Sequence, residues 1–445
     1  MTVNQGENIR TLQDEHQSTP DTLDLLERDS RAFFHQTLST PVFEVVTRAE
    51  GAYIYDGAGR RYLDLHGNGV HTVGYQHPKV LQAVRDQLDQ ALSFAPRRFT
   101  NLPAVLLAEK LARIAPGDLN RVLFCPGGSE AVEMAVMMAK LVTGRWKTLS
   151  YYGAFHGAGF QAVSIGADPH FRDGLGPMMP GALHLEMPDY YRNPWGWTDP
   201  QQIDEEYLRQ VRITIENNPG IAALVTEPIF YNSTVPTAFY WQQVKALCEA
   251  HGILLIFDEI YTAFGRTGKM FACEHYDVVP DLLVVGKGFG GSILPFAGII
   301  GRDDFNVLEH KSIGHFTHEK NPLCCAVARA VIDIVESERL VEKTAELGAY
   351  FKKGLLELQN EFEAIGQVTG LGLNLGLDLV ENRVSKQRAT APAQGVMQFC
   401  MARGISFKLV QGNILNLKPA LVITKDEVDH VLETLREALK SATMA

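Results

Sequence analysis

The sequence predicts an α/β protein with a mostly parallel sheet in a large domain and a second, smaller α+β domain. Apolar runs of strand length alternate with helical patterns through the middle of the chain, and this alternation gives a parallel sheet covered on both faces. The runs are nearly continuous in Val, Ile and Leu, as expected for parallel strands buried on both faces. At 445 residues, the chain exceeds the usual size of one core, so two domains are expected.

The N-terminal segment, residues 21–75, is expected to contribute to the small domain. Residues 1–20 are polar and mildly acidic, and they are expected to form a flexible arm. A helix is predicted from Asp21 to Gln36, and its apolar side comprises Leu23, Leu25, Leu26 and Phe33. Strands follow at 43–46, 52–55 and 61–65, with a tight turn at Asp56-Gly-Ala-Gly.

Residues 76–325 are predicted to form the large domain and residues 326–445 the C-terminal small domain. Helices of the large domain are expected at 78–92, 102–114, 129–142 and 238–251, and strands at 122–124, 148–152, 221–225, 254–257 and 282–285. The segment 166–200 is rich in Gly, Pro, Met and aromatic residues, which favours a long surface excursion. The small domain is expected to contain one long helix at about 325–360, strands at 373–379 and 414–417, a helix between these strands, and a closing helix from Lys425.

The composition excludes several classes of protein. The net charge of −11 argues against a general nucleic-acid binder, which needs a basic face, and solubility explains the charge without a partner. No run is long and apolar enough to span a bilayer, and the start of the chain does not have the pattern of a signal peptide. The six cysteines have no spacing typical of a zinc site, so no metal is expected, and a reducing cytoplasm fits them best.

Two strands of the predicted sheet end near charged residues that a buried strand does not normally carry. Asp258 ends the run Ile253-Leu-Leu-Ile-Phe, and Lys287 follows the run Asp281-Leu-Leu-Val-Val-Gly. Ligands of open α/β sheets bind beyond the carboxyl ends of the strands, so both side chains should reach one edge. A carboxylate and an amine there suit pyridoxal phosphate (PLP), which has a basic ring nitrogen and an aldehyde. The structural alternatives are an ion pair of Asp258 with Arg266 and a solvated loop lysine.

A glycine turn that enters a helix, Pro126-Gly-Gly128-Ser129-Glu, predicts an anion site. Backbone N–H groups at a helix start, together with a Ser hydroxyl, bind phosphate, although the same pattern could be only a helix cap. It is neither a Walker loop nor a dinucleotide fingerprint, which argues against a nucleotide-binding dehydrogenase. Phe155, in Phe-His-Gly after a predicted strand, could stack on a flat ring or pack in the core.

Taken together, these residues resemble the class III (ω-amino) aminotransferase family of fold-type-I PLP enzymes, over about residues 40–440. The longest matches are Phe257-Asp-Glu-Ile-Tyr-Thr-Ala-Phe-Gly-Arg-Thr-Gly268 and Pro280-Asp-Leu-Leu-Val-Val-Gly-Lys287-Gly. Shorter matches are Gly128-Ser-Glu-Ala, Phe155-His-Gly, Glu227-Pro228, Asn321-Pro-Leu323 and Gly370-Leu-Gly-Leu373. The resemblance implies a large domain with a seven-stranded sheet and a smaller α+β domain.

The resemblance also implies a role for each matched residue. Lys287 would carry the cofactor, and Asp258 would meet its ring nitrogen. The other implied cofactor contacts are Gly128 and Ser129 at the phosphate, and Phe155 and Ile260 on the two faces of the ring. Thr317 would reach the phosphate of the neighbouring subunit's cofactor, which implies an obligate homodimer with sites at its interface.

The chain departs from the family pattern at positions that bear on the reaction. Tyr261 stands where many members have a Gln near the phenolic oxygen of the cofactor, and its hydroxyl could serve instead. Members that alternate between an ω-amine and an α-amino acid often have a carboxylate-binding Arg near the C-terminal Pro-Leu segment, and some pair it with a gating Glu after Glu-Pro. Here those segments contain Asn416 and Asn232, and both elements are missing. A transaminase admits two substrates in turn whereas a lyase needs one, so the departures favour a lyase.

The run from Asp64 to Pro78 resembles the 1-hydroxy-2-aminoethylphosphonate ammonia-lyases of this family. The expected substrate is a small β-hydroxy amine with an anionic head group, and the expected products are an aldehyde and ammonia. Candidates for binding the anion or assisting departure of the hydroxyl are Arg97, Arg98, Lys408, Lys418, His66 and His71, and the charged ones could equally be solvated surface groups. The alternative function is an ω-amino acid or amine:keto-acid aminotransferase, and a more remote alternative is a PLP-binding protein without catalysis.

Overall fold

The computed structural model describes residues 18–36 and 44–444. Most of the predicted flexible arm, residues 1–17, lies outside the described residues. The first helix, α1, spans Pro20–Ala32, and the Thr19 hydroxyl accepts a hydrogen bond from the N–H of Thr22 at 3.2 Å. Of its predicted apolar side only Leu26 is buried, while the other members, Leu23, Leu25 and Phe33, are exposed.

An antiparallel meander follows α1. It consists of β1 (Val46–Glu50), β2 (Tyr53–Asp56) and β3 (Arg61–Asp64). The predicted turn between β2 and β3 is held by Asp56, whose Oδ1 accepts the N–H groups of Ala58 and Arg60, each at 2.9 Å.

The large central sheet has seven strands, and the mostly parallel α/β architecture is confirmed. The strands are β4 (Arg121–Cys125), β5 (Lys147–Tyr151), β6 (Ala182–Leu185), β7 (Ile221–Thr226), β8 (Leu254–Asp258), β9 (Leu282–Val285) and β10 (Ala297–Gly301). Their order across the sheet is β4-β10-β9-β8-β7-β5-β6. Only β10 opposes its neighbours, because it pairs antiparallel with both β4 and β9.

Two of these strands are not predicted by the sequence pattern. β6 lies inside the segment expected to be a surface excursion, and it pairs only with β5 at the edge of the sheet. β10 reads Ala-Gly-Ile-Ile-Gly, and glycine weakens the strand signal. Gly298 is required there because a Cβ atom would lie 2.8 Å from the carbonyl oxygen of Leu123.

Both faces of the central sheet are buried, as the continuous apolar runs predict. Along β8, Leu255 and Phe257 belong to one apolar cluster, whereas Ile256 belongs to another. Side chains that alternate along a strand point to opposite faces, so each cluster covers one face. The covering helices and turns are α2 (Pro78–Asp89), α3 (Leu102–Ile114), α4 (Gly128–Thr143), α5 (Phe160–Ile165), α6 (Pro169–Arg172), α7 (Pro200–Asn217) and α8 (Ala238–Ala250).

The C-terminal part forms a second α+β layer. Its elements are α9 (Pro322–Ser337), α10 (Leu340–Glu361), β11 (Ile365–Leu371), β12 (Asn374–Leu379), α11 (Thr390–Ala402), β13 (Ile405–Ser406), β14 (Lys408–Val410), β15 (Ile414–Leu417) and α12 (Lys425–Met444). The prediction of one long helix at 325–360 is wrong, because the chain breaks at Arg339, whose φ is +53°. Four of the strands pair in the order β11-β12-β15-β14.

The N-terminal meander joins this C-terminal part. β13 pairs parallel with β3, so that Ile405 lies opposite Leu63. This pairing agrees with the expected contribution of residues 21–75 to the small domain, although the domain boundaries themselves stay a prediction. Among the described helices, none is long and apolar enough to cross a membrane.

Candidate functional site

Asp258 and Lys287 lie at the same edge of the central sheet, as their positions after apolar runs predict. Asp258 is the last residue of β8 and pairs with Val284 of the parallel neighbour β9. Lys287 begins a short 3₁₀ turn just after β9, with a left-handed φ of +49°. Burial lowers the pKa of Lys287, and the nearby charges of Asp258 and Glu227 oppose that shift only in part. The amine is therefore more readily neutral than an ordinary lysine, which favours reaction with an aldehyde.

His156 fixes the carboxylate of Asp258 in place. Its Nδ1 lies 2.8 Å from Oδ2 of Asp258, and its Nε2 lies 3.3 Å from the Ser150 hydroxyl. The other carboxylate oxygen accepts the N–H of Ile260 at 3.1 Å. Burial lowers the pKa of His156, but the hydrogen bond and charge of Asp258 outweigh that effect and raise it overall.

The sequence reasoning did not assign a role to His156, although it singled out the Phe-His-Gly triplet. The available signal was its position in the segment that follows β5, beyond the carboxyl end of a strand, as Asp258 is at the end of β8. Strand order places β5 and β8 on either side of β7, and only the folded sheet reveals that proximity.

The start of α4 forms a cradle with the shape expected of a phosphate site. Its N-cap is Gly127, which has no side chain to occupy the free N–H groups of the first turn. Ser129 Oγ accepts the N–H of Ala158 at 2.9 Å, and Gly157 packs against the same serine with φ +130°. A Cβ atom on Gly157 would lie 2.5 Å from Ser129 Oγ and would obstruct the cradle. Free N–H groups at a helix start attract anions.

Two apolar side chains belong to the segments that adjoin this cradle and Asp258. Ile260 lies against the start of α4, since a Cβ atom on Gly128 would meet its Cδ1 at 2.7 Å. Phe155 is partly exposed, and its ring packs against that of Phe171 with centroids 4.5 Å apart. A helix start with free N–H groups, two apolar side chains, a carboxylate and an amine are the types of group that PLP requires for its phosphate, ring, ring nitrogen and aldehyde.

Tyr261 supplies a further test of that fit. Its hydroxyl is buried and has no hydrogen-bond partner within the described residues. The ring lies beside two amines, with Nζ of Lys287 at 4.6 Å and Nζ of Lys418 at 4.4 Å from its centroid. An unsatisfied buried donor next to Lys287 agrees with the expected contact to a phenolic oxygen.

The segment that contains Thr317 is held by Arg97. Thr317 is exposed. Nε of Arg97 forms an ion pair with Glu319 at 3.2 Å, and its Nη2 donates to the carbonyl of Phe316 at 2.9 Å. Arg97 is thus engaged in positioning this segment, and the adjacent Arg98 is exposed.

His66 and His71 belong to a loop that is organised by Asp64. Oδ1 of Asp64 accepts the N–H of His66 at 2.9 Å, and Nε2 of His71 lies 3.2 Å from the Asp64 carbonyl. His71 is completely buried, and its Nδ1 has no partner in the part of the chain that is described. Burial lowers the pKa of both histidines, so both rings are neutral near pH 7.

Lys418 lies deep in the site, and Lys408 lies at its exposed margin. Nζ of Lys418 donates to the carbonyl of Tyr231 at 3.1 Å, and burial lowers the pKa of Lys418. Glu227, which the sequence reasoning used only as part of a motif, accepts the N–H of Tyr231 at 2.9 Å. Burial raises the pKa of Glu227, while the charges of His156, Lys287 and Lys418 oppose that shift.

Comparisons with known proteins agree with this geometry. The model of the family described as aminotransferase class-III matches residues 35–439. The chain is 39% identical to the (R)-1-hydroxy-2-aminoethylphosphonate ammonia-lyase of Vibrio splendidus, over 93% of this chain and 89% of that protein. It is 34% identical to the isoleucine 2-epimerase of Lentilactobacillus buchneri, over 88% of this chain and 89% of that protein.

A solved structure of a PLP enzyme has the same fold as this chain. An amine transaminase from an uncultivated Pseudomonas species, in its PLP-bound form, is 30% identical and has a TM-score of 0.86. The match covers 92% of this chain and 99% of that one.

Proposed function

The chain belongs to the class-III aminotransferase family, whose cofactor is PLP, and we propose that it is an ammonia-lyase. The proposed substrate is a small β-hydroxy amine with an anionic head group. The specific proposed reaction converts 1-hydroxy-2-aminoethylphosphonate to phosphonoacetaldehyde and ammonia. This substrate appears in the name of the Vibrio splendidus relative.

The observation that carries the proposal is the replacement of the expected carboxylate-binding Arg by Asn416. Nδ2 of Asn416 donates to the carbonyl of Tyr231 at 3.3 Å, so this position supports the loop after Glu227. A planar carboxylate is best bound by the two parallel donors of an Arg. Without that residue, the site lacks the usual means of admitting an α-keto acid as a second substrate.

Lys287 and Asp258 are the proposed catalytic residues. When bound, PLP forms a covalent bond to an amine and withdraws electrons from the carbon that bears it. We propose that the amine of Lys287 would remove the proton from that carbon, because its lowered pKa favours the neutral form that can accept a proton. Asp258, held by His156, would keep the ring nitrogen protonated. The hydroxyl on the next carbon would leave as water, which takes up a proton equivalent to the one removed. One water would be consumed on hydrolysis, so the net products would be the aldehyde and ammonia.

The proposed residues at the cofactor are those that the resemblance implies. They are Gly128 and Ser129 for the phosphate, Phe155 and Ile260 for the ring, and Tyr261 for the phenolic oxygen. The cradle at the start of α4 and the unpaired hydroxyl of Tyr261 support these assignments.

A homodimer, with Thr317 reaching the neighbouring site, is part of the proposal. Phe33 and Phe34 at the end of α1 are 63% and 97% exposed, and Leu23 on the same helix is 50% exposed. Large apolar side chains exposed together indicate a surface that another protein covers. A cytoplasmic location is also proposed, because all six cysteines are free thiols.

The alternative function is that of an aminotransferase. The matched structure from an uncultivated Pseudomonas species is named as an amine transaminase. Incubating the purified protein with 1-hydroxy-2-aminoethylphosphonate and a panel of amines, without any keto acid, separates the two. Ammonia release with an unchanged cofactor absorbance supports the lyase, whereas turnover only after addition of pyruvate or 2-oxoglutarate would overturn it.

Lys287→Ala serves as the control for that assay. It should abolish both the cofactor band and the reaction, while the surface variant Lys353→Ala should change neither, because Lys353 is exposed and pairs with Glu357 at 3.9 Å. A protein with a cofactor band but no reaction with any amine would favour the non-catalytic alternative.

A further inference from the structure

Three polar residues of the C-terminal sheet share one face beside Lys287. Asn416 and Lys418 are two residues apart in and just after β15, and side chains with that spacing lie on the same face. Lys408 of β14 lies directly opposite Asn416 in the antiparallel register. Residues opposite each other in such a pair have neighbouring side chains on one face.

This face is adjacent to the reacting amine. The Nζ atoms of Lys418 and Lys287 lie 4.4 and 4.6 Å from the centroid of the same Tyr261 ring. The charge of Lys408 also lowers the pKa of Lys287 and of Lys418, so Lys408 is close enough to affect both amines. The charge of Lys287 also lowers the pKa of Lys418. A ligand that brings its amine to Lys287 and carries an anionic group on a short spacer would direct that group towards Lys418.

The donors on this face are only partly used by the protein. Lys418 is 3% exposed, and its hydrogen-bond partner among the described residues is the neutral carbonyl of Tyr231. Asn416 is 5% exposed, and its Nδ2 donates to the same carbonyl at 3.3 Å, so the two side chains share one neutral acceptor. A buried ammonium without a carboxylate partner is costly unless an anion compensates it.

Positive charge also exceeds negative charge around this face. Arg266 is 1% exposed, its Nη2 is unpartnered among the described residues, and its charge further lowers the pKa of Lys418. The carboxyl groups that oppose these cations are Glu227, whose own pKa is raised by burial, and Asp168, whose charge counteracts the lowering of the Lys408 pKa by burial. Bringing an anionic group to this place would relieve the repulsion among the lysines.

We infer that Lys408, Asn416 and Lys418 form a subsite for a tetrahedral, doubly charged head group, and that this subsite determines substrate specificity. Separate point donors suit a phosphonate, whose three oxygens point in different directions, better than a planar carboxylate, which prefers the fork of an Arg. The inference rests on the proposed function for its choice of substrate class, and it extends that function by naming the residues that select the head group.

The test uses three amines that differ only in the head group. They are 2-aminoethylphosphonate, 2-aminoethanesulfonate and 3-aminopropanoate, which carry a tetrahedral dianion, a tetrahedral monoanion and a planar monoanion. None has the hydroxyl that would leave, so their binding is measured without elimination. The holoenzyme is mixed rapidly with each amine, and the dissociation constant is read from the initial change in cofactor absorbance.

The wild-type protein should bind the phosphonate about tenfold or more tightly than the carboxylate, with the sulfonate between them. Lys418→Met should weaken phosphonate binding by about tenfold or more, since it removes one charge-assisted hydrogen bond, and should affect the carboxylate less. Lys353→Met, which removes an exposed lysine far along the sequence, should leave all three constants unchanged.

Lys408→Met provides a second variant, at an exposed position of the same face. It should also reduce the preference for phosphonate over carboxylate. Equal binding of phosphonate and carboxylate by the wild type, or an unchanged preference in both lysine variants, would overturn the inference. If the preference depends on the lysines but no ammonia is released from the hydroxylated amine, the subsite stands and the proposed lyase reaction fails.

Discussion

His156 Nδ1 and Asp258 Oδ2 lie 2.8 Å apart, although the two residues are 102 positions apart in the sequence. Both side chains are buried, so the hydrogen bond is shielded from water. A buried carboxylate is stable only when hydrogen-bonded or paired with a charge, and the histidine supplies that partner. The proposed role of Asp258 at the cofactor therefore depends on His156 as well.

Removing this partner should weaken both the fold and the hold on the cofactor. His156→Phe leaves Oδ2 of Asp258 without its donor, which should lower the free energy of unfolding by about 1–3 kcal/mol. PLP should also dissociate faster from the variant, as followed by the decay of its absorbance during dialysis. The matched control is His275→Phe, since His275 is half-buried and its Nε2 lies 3.1 Å from the carbonyl oxygen and the hydroxyl of Thr267. Equal cofactor loss in both variants would contradict a specific role for His156.

Gly157→Ala should disrupt the proposed phosphate cradle. The added Cβ atom would lie 2.7 Å from the Cα atom of Ser129, at a backbone φ of +130° that side chains rarely adopt. The expected result is a loss of about 2 kcal/mol or more of stability and a weaker affinity for PLP and for inorganic phosphate. Gly174→Ala is the control, because its φ is +81° but a Cβ atom there meets nothing within 4 Å. Thermal unfolding with and without added PLP measures both effects.

Lys418→Met should stabilise the protein in a pH-dependent way. Burial lowers the pKa of Lys418 below its ordinary value of 10.5, so the charged form destabilises the folded state. This penalty is complete below the lowered pKa and fades as the pH rises from there towards 10.5. In the absence of amines, the variant should gain about 1 kcal/mol or more at pH 6 and much less at pH 10.

Urea unfolding at the two pH values measures that difference. Lys353→Met should change stability by less than about 0.5 kcal/mol at both, as is usual for surface substitutions. A Lys418→Met variant that is destabilised equally at pH 6 and pH 10 would show that the lysine acts as a structural donor to Tyr231 rather than as an uncompensated cation.

Asn416→Asp should reduce binding of an anionic head group. The substitution preserves the shape of the side chain but places a carboxylate next to Lys408 and Lys418. The affinity for 2-aminoethylphosphonate should fall by about tenfold or more, because the new charge repels the ligand and occupies the lysines. Asn416→Leu removes the amide without adding charge and should cost less affinity. If the two variants bind the phosphonate equally, charge at this position does not govern binding.

The sequence predicted the central architecture because buried parallel strands have an unmistakable composition. The apolar runs at β7, β8 and β9 define the middle of the sheet, and Asp258 and Lys287 are visible as exceptions to them. Edge and glycine-containing strands such as β6 and β10 lack that composition, so they become evident only through pairing. The break at Arg339 was equally hidden, since the residues on both sides favour helix.

By itself the sequence determined the family, the cofactor and the pair of residues expected to act on it, because those depend on residue type at positions set by strand ends. The tertiary structure decided the surroundings: that His156 partners Asp258, that Arg97 is engaged with residues 315–319, and that Lys418 lies beside Tyr261. These facts depend on strand order and sheet register, which bring together segments far apart in the chain. Burial then sets the charge of each group, and burial is a property of the folded protein rather than of any local run of residues.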